Sequence, residues 1–386
     1  MLALLRAFLQ RTPAPPLPEG IDLDRLLQIA HAQGMVGVCG FLLQNDRMLP
    51  HERQMQLASL FYRTVFQLSK AQPPLKGWRE KLAAAGIPHA LLKGAVLQAL
   101  YPVPELRLCG DADFFVPPAF LPQLKALLST EDVRLLHEDE TVIYIYAAPL
   151  HLEFHTTLLP DAATDSPALA AYFGDAAAHM TGDALCRDFD PEFHFVYLLS
   201  HQMRHFQTDC AGIRTFMDLA VFLQHFPDAA SESRLRETGL FDYAAGALAL
   251  TAHWFGVPSP FSVTVSDADA DAVAAYILSV GLFARKQNAA AAKVEKQMHS
   301  AFPRLRTLWR ALFPTREDLE KDARYGALAK KCLPAAYTKR FFTALFTRRG
   351  HMRDTARNIV TAADDAKERV RMQKLLHLNG GNAHEG

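Results

Sequence analysis

A chain of 386 residues is longer than one compact core usually supports, and it predicts two or three domains, each large enough to bury a real core. Half of the residues are hydrophobic and 21% are charged, globular values that exclude extensive disorder. Forty-one basic residues cancel forty-one acidic ones, which excludes a global field able to draw the chain onto nucleic acid or an anionic membrane. Any polyanion site must be local.

The cysteines Cys39, Cys109, Cys186, Cys210 and Cys332 are odd in number, scattered, and form no CxxC pair. Neither a disulfide framework nor a zinc ribbon is indicated, and reduced thiols in a cytoplasm are expected. The opening MLALLRAFLQ is interrupted by Arg6 and Gln10 and lacks a small-residue cleavage site, so no signal peptide is expected. No apolar run approaches the ~18 residues of a membrane span.

In chain order, residues 1–76 read as a helical cap. After a proline-rich break, Leu23, Leu26, Leu27, Ile29 and Ala30 fall near helical spacing, and Met55, Leu57, Leu60, Phe61, Val65, Phe66 and Leu68 continue it after Pro50. Gly34, after His31 and Gln33, marks a helix C-terminus. Gln72-Pro73-Pro74 then predicts a break, followed by a helix over residues 78–85 that ends at Gly86.

The next stretch, IPHALLKG, is an apolar strand over residues 87–92 followed by Lys93-Gly94 and the helical AVLQALY. A strand, tight turn and helix present free backbone N–H groups to an anion; Gly94 permits close approach and Lys93 adds a point charge. The loop after it carries Arg107 and Cys109. It leads into DADFFV, where the period of two puts Asp111 and Asp113 on one strand face and Ala112 and Phe114 on the other. Two carboxylates this close need a cation, so such a pair often marks a divalent-metal site. Magnesium, held by one or two carboxylates plus phosphate oxygens of a nucleoside triphosphate, is the natural guest. A turn whose charges simply face water is the competing reading of the pair alone.

A helix over residues 120–128 follows, then TVIYIYAA, which alternates as a strand and turns at Ala148-Pro149 into LHLEFH. There His151, Glu153 and His155 share one face and Leu152 and Phe154 the other, so a third carboxylate is on offer. From Pro191 onward the chain reads as mostly helical. His201 and His205 stand at i, i+4, a spacing open to zinc, to a hydrogen-bonded packing pair, or to contact with a substrate. Arg214 and Asp218, also four apart, have the spacing of an intrahelical ion pair. Residues 243–255 are almost wholly apolar and predict a buried helix; Asp267, Asp269 and Asp271 read as helix-start charge. Lys330, Lys331, Lys339, Arg340, Arg348 and Arg349 interleave with Phe341, Phe342 and Phe346 and read as a solvated amphipathic helix, with contact to an anionic partner as the alternative. Residues 348–374 read as a charged helical tail, and residues 377–386 as a frayed end.

The stretch from residue 91 to 155 resembles the nucleotidyltransferase superfamily that shares the DNA polymerase beta palm, and specifically its uncharacterised nucleotidyltransferase family. Lys93-Gly94, Arg107, Asp111-Ala112-Asp113 and Glu153-Phe154-His155 stand in the places of that family's pattern. His201, His205, Arg214 and Asp218 fall at matching polar positions of its helical region, and LFPTREDLE and LPAAYTKR look like its C-terminal part. The first motif departs from the broader superfamily, whose turn is usually Gly-Gly or Gly-Ser.

The resemblance implies an α+β fold: a small mixed β-sheet core over residues 77–165, flanked by the helical cap of residues 1–76 and a helical domain over residues 166–386. It implies transfer of a nucleoside monophosphate from a triphosphate, ATP first among them, to a hydroxyl-type acceptor with release of pyrophosphate. Asp111, Asp113 and Glu153 would hold Mg²⁺ or Mn²⁺, with Glu153 also a candidate base, and Lys93, Gly94 and Arg107 would receive the phosphates. His155, His201, His205, Arg214 and Asp218 would contact the acceptor or support the site. The family's links to bacterial cell-surface and peptide-modification settings leave a small molecule, saccharide, peptide or protein as acceptor. A nucleotide-binding regulator without turnover, and γ-phosphoryl transfer from the same site, are the alternatives.

Overall fold

The structure, a computed structural model, describes residues 1–139, 141–158, 166–182, 185–208, 211–280, 316, 319, 326–339, 370–372 and 374–376. The chain divides into two compact units. One comprises Met1–His205, Ala211–Leu282 and Leu376–Gly386; the other comprises Phe206–Cys210 and Phe283–Leu375. In the second unit, Leu319 and Ala336 are buried among Leu328, Leu333 and Tyr337. Most of the charged tail and of the basic, phenylalanine-rich stretch lies outside the described residues.

The first unit is α+β, built on a mixed, open seven-stranded sheet with strand order β3-β4-β5-β2-β1-β7-β6. The strands are β1 (His89–Leu92), β2 (Ala112–Phe115), β3 (Arg134–Glu138), β4 (Val142–Ala147), β5 (Leu150–His155), β6 (Met180–Thr181) and β7 (Cys186–Phe189). β1 pairs antiparallel with β2 and parallel with β7, while β2 runs parallel to β5. The alternation read in LHLEFH appears in β5, where Leu152 and Phe154 are buried and His151, Glu153 and His155 are partly exposed.

Three strands escaped the sequence reading. β3 is exposed along its whole length and offers no apolar alternation. β6 and β7 are too short, and too polar in Thr181, Arg187 and Asp188, to show a pattern.

Helices α1 (Leu2–Leu9), α2 (Leu23–Ala32), α3 (Val36–Leu43) and α4 (His51–Ala84) form the N-terminal layer. Leu4, Leu23, Leu26, Leu27, Val36, Leu43 and Leu57 make its core. The break expected at Gln72-Pro73-Pro74 is absent: α4 runs unbroken through both prolines. Two prolines remove two backbone donors, but the carbonyls they would have served belong to Ser69 and Lys70, on an exposed face open to solvent that can satisfy them. The C-terminal half of α4 can therefore lay Trp78 and Leu82 onto one sheet face. With α6 (Leu121–Thr130), which supplies Leu124, it covers Phe114, Ile143, Ile145, Leu152 and Phe154.

α5 (Lys93–Leu100) follows β1 directly, and α7 (Pro167–Gly174) precedes β6. The rest of the unit is helical: α8 (Pro191–Thr208) as far as His205, α9 (Ile213–His225), α10 (Glu232–Glu237), α11 (Phe241–Phe255) and α12 (Asp267–Val280). As the composition predicts, α11 is buried along most of its length, and it packs against α9 and α1. Ser266 caps α12 by accepting from the Asp269 N–H. Buried Gln33 ties three helices together, donating to the Ile277 carbonyl and accepting from the Ile213 N–H. Among the described residues, no helix is long and apolar enough to cross a membrane.

Candidate active site

Parallel pairing of β2 with β5 sets Asp113 directly beside Glu153, and Phe114 beside Phe154. The two phenylalanines stack at 5.2 Å inside the core, which fixes the register; the period of two then sends both carboxylates to the opposite face. Asp111 lies one residue before β2, at the end of the loop from Arg107, and its residue is exposed while Asp113 is buried.

Asp113 is the hub. Its Oδ1 accepts from the Lys93 ammonium at 2.7 Å and from His155 Nε2 at 3.0 Å, and the same His155 nitrogen lies 3.3 Å from Glu153 Oε2. Burial alone would push the Asp113 carboxyl up; Lys93 and His155 override it and hold the group far below the usual carboxylate range. Burial works against the His155 imidazolium too, but hydrogen bonds to Asp113 and Glu153 win, and its pKa rises. At Asp111 the balance falls the other way. Desolvation of the carboxyl by its crowded surroundings, and after it the charges of Asp113 and Glu153, push it up against the pull of Lys93 and Arg214.

Among the described residues, Asp113, Glu153 and His155 are brought together as a group able to share an ion, their ligand atoms all within 4.8 Å of one another. Asp111 is not in that group. The donor chemistry fits a hard divalent cation: two carboxylates suit Mg²⁺ or Mn²⁺. His155 Nε2 must first give up the proton it donates to Asp113 before it can ligate.

The Lys93-Gly94 turn is strained. Lys93 holds φ at 46°, a left-handed conformation that side chains other than glycine and asparagine avoid. From this turn its ammonium reaches Asp113. Gly94 is required sterically, since a Cβ there would meet Cys109 Sγ at 2.6 Å and Arg107 Nη1 at 2.9 Å.

Behind the turn, Arg107 grips Asp218 of α9 through Nε at 2.9 Å and Nη2 at 2.8 Å, and Nη1 donates to the Gly94 carbonyl at 3.1 Å. The Tyr101 hydroxyl donates to the same Asp218 at 2.7 Å. The Arg214–Asp218 pair expected along one helix is thus replaced by a buried bidentate pair to Arg107, 111 residues away in sequence. Arg214 instead donates through Nη1 to the Leu108 carbonyl at 3.0 Å.

Helix α8 lines the site, and beside the His201 and His205 read from the sequence it brings His194 and Tyr197, which that reading passed over. His194 Nε2 accepts from the Lys93 N–H at 3.3 Å, and burial lowers its pKa to about 4, so it is a neutral acceptor. The Lys93 ammonium lies 5.9 Å from the Tyr197 ring centre. His201 stacks on Tyr197, and its Nε2 meets His205 Nε2 at 3.0 Å, one nitrogen donating and the other accepting. Burial drives the His201 pKa well below its ordinary value. His194, Tyr197, His201 and His205 recur at helical spacing in FHFVYLLSHQMRHF, and that period was the available signal.

A family model described as uncharacterised nucleotidyltransferase matches residues 19–256, more than half of the chain, and spans every one of these side chains. Comparison with curated proteins and with solved structures gives no match.

Proposed function

Because the chain belongs to the uncharacterised nucleotidyltransferase family, we propose that it transfers a nucleoside monophosphate from a nucleoside triphosphate, ATP first among candidates, to a hydroxyl-type acceptor. The observation that carries this reading is the side-by-side register of Asp113 and Glu153, with the Lys93-Gly94 helix start following directly on Leu92, the residue opposite Asp113.

In this reading Asp113 and Glu153, with Asp111 beside them, hold Mg²⁺ or Mn²⁺, which supplies charge stabilisation to the oxygens of an in-line displacement. Lys93 and the N–H groups opening α5 receive the phosphates, and Arg107, locked on Asp218, keeps the Gly94 carbonyl and hence that turn in place. The acceptor oxygen attacks the α-phosphorus, and the bond from that phosphorus to the bridging oxygen of the β-phosphate breaks. Pyrophosphate leaves and the acceptor proton passes to Glu153. His155, held between the two carboxylates, orients the acceptor. Binding without turnover is the second reading, favoured by one feature: Lys93 and His155 already satisfy Asp113 internally.

Purified protein incubated with Mg²⁺ or Mn²⁺, a cell extract and triphosphates labelled at the α or the γ phosphorus separates these readings. Label entering a product from the α position, and lost with Asp113→Asn, is the expected outcome. Label from γ alone means phosphoryl transfer, nucleotide binding with no product means a regulator, and full turnover by Asp113→Asn would sink the assignment.

A further inference from the structure

The buried polar cluster behind the Lys93-Gly94 turn holds two guanidinium groups and one carboxylate. Asp218 gives both oxygens to Arg107 and also accepts the Tyr101 hydroxyl, so its negative charge is committed. Arg214, one turn earlier on α9, forms no ion pair among the described residues. Its Nη1 donates to the Leu108 carbonyl, and its Nε is buried with no partner. The edge formed by Nε and Nη2, the same edge with which Arg107 holds Asp218, is therefore without an acceptor.

Two further circumstances aggravate that deficit. Arg214 stands in the first turn of α9, where the helix dipole is itself positive and favours an anion. Arg107 adds a like charge to the cost of burial, and both disfavour the Arg214 cation. The Asp218 charge, shared with Arg107 and Tyr101, offsets that cost only in part; a desolvated guanidinium edge without an acceptor is costly. Its field also reaches the acid platform, since Arg214 is among the cations that draw the Asp111 carboxyl down against burial.

We propose that Arg214 is the anion-receiving group of this site, its Nε/Nη2 edge closing bidentately on a phosphate-type oxyanion that supplies the missing negative charge. That oxyanion comes either from the polyphosphate of the nucleotide, an assignment that rests on the transfer reading above, or from an anionic group carried by the acceptor. Arg107, fixed by Asp218, is the rigid second charge behind it.

Calorimetric titration of the full chain with inorganic phosphate, pyrophosphate and tripolyphosphate, at balanced ionic strength and without metal, tests the proposal; Mg–ATP follows as a separate titration. The wild type is expected to bind tripolyphosphate, Arg214→Lys to lose about tenfold in affinity as the fork is lost, and Arg214→Gln to lose more. Parallel loss for tripolyphosphate and Mg–ATP assigns the subsite to the nucleotide. Loss for the inorganic anions with Mg–ATP affinity intact assigns it to the acceptor. A wild type that binds none of the three anions, or an Arg214→Lys variant that binds them as the wild type does, overturns the proposal; the lysine variant carries the test even if the glutamine variant fails to fold. The label-transfer assay of the wild type, run separately, keeps failure of this proposal distinct from failure of the transfer reading: anion binding that depends on Arg214 stands even where no label is transferred, and transfer with no anion binding overturns the proposal alone.

Discussion

Asp218→Ala is expected to be among the most destabilising single changes in the chain. The carboxylate it removes is buried, accepts both guanidinium bonds of Arg107 and the Tyr101 hydroxyl, and leaves all three donors without a replacement. Breaking one partner of a buried ion pair costs about 3–5 kcal/mol. A stranded tyrosine hydroxyl adds about 1–3 kcal/mol. The two losses share one carboxylate and do not add in full, so the total is about 4–6 kcal/mol. That is a large share of the roughly 5–15 kcal/mol by which folded domains are stable. Urea unfolding followed by tryptophan fluorescence reads it, because Trp254 lies 4.9 Å edge-on from Phe216, two residues before Asp218 on α9. The companion variant Arg107→Met with Asp218→Leu removes both charges and should recover at least half of the loss, since a buried pair replaced by apolar groups is often neutral. A loss under about 1 kcal/mol for Asp218→Ala, or a double variant as unstable as the single, would refute the reasoning.

Gly94→Ala should destabilise by about 1–3 kcal/mol through overpacking on Cys109 Sγ and Arg107 Nη1, and adding Cys109→Ala should restore part of the melting temperature; no restoration would mean that the contact is not the cause. Lys93→Gly and Lys93→Ala both lose the Asp113 ion pair, but glycine relaxes the backbone at φ 46°, so the glycine variant should be the more stable by about 1 kcal/mol; equal stability would argue against strain at the turn. His194 has its pKa lowered to about 4 by burial, below an unfolded value near 6.5. The unfolded chain therefore binds a proton that the folded chain refuses, and the stability this group contributes, complete above pH 6.5, is lost as pH falls toward 4. By pH 5 the loss is about 2 kcal/mol, so His194→Gln should show a correspondingly flatter stability profile between pH 7 and pH 5 than the wild type, and identical profiles would remove His194 from the account.

The acid platform was legible in the sequence because its logic is local. The period of two in DADFFV and LHLEFH, and a lysine and glycine between a strand and a helix, need only neighbouring residues to be read. What could not be read depends on partners far along the chain. Nothing near Arg107 announces Asp218, and the nearer Arg214 offered a plausible i, i+4 pair instead. His155 was read as a companion of Glu153, whereas its nitrogen is held by Asp113 from a different strand. The continuity of α4 through Pro73 and Pro74 was hidden for another reason: the penalty of an internal proline depends on whether water can reach the freed carbonyls, and exposure is a tertiary property.

The parallel pairing of β1 with β7 bears on how this enzyme could be dissected. A fragment ending near residue 165 would keep every acidic side chain of the platform, yet it would strip β1 of one neighbour and leave that strand's backbone donors and acceptors open to a foreign chain. It would also lose His194, and with it the acceptor for the Lys93 N–H. A minimal piece therefore has to extend at least through α8, and a recombination or fusion junction placed between residues 165 and 186 would separate the acid-bearing strands from the helix that supplies His194 and Tyr197.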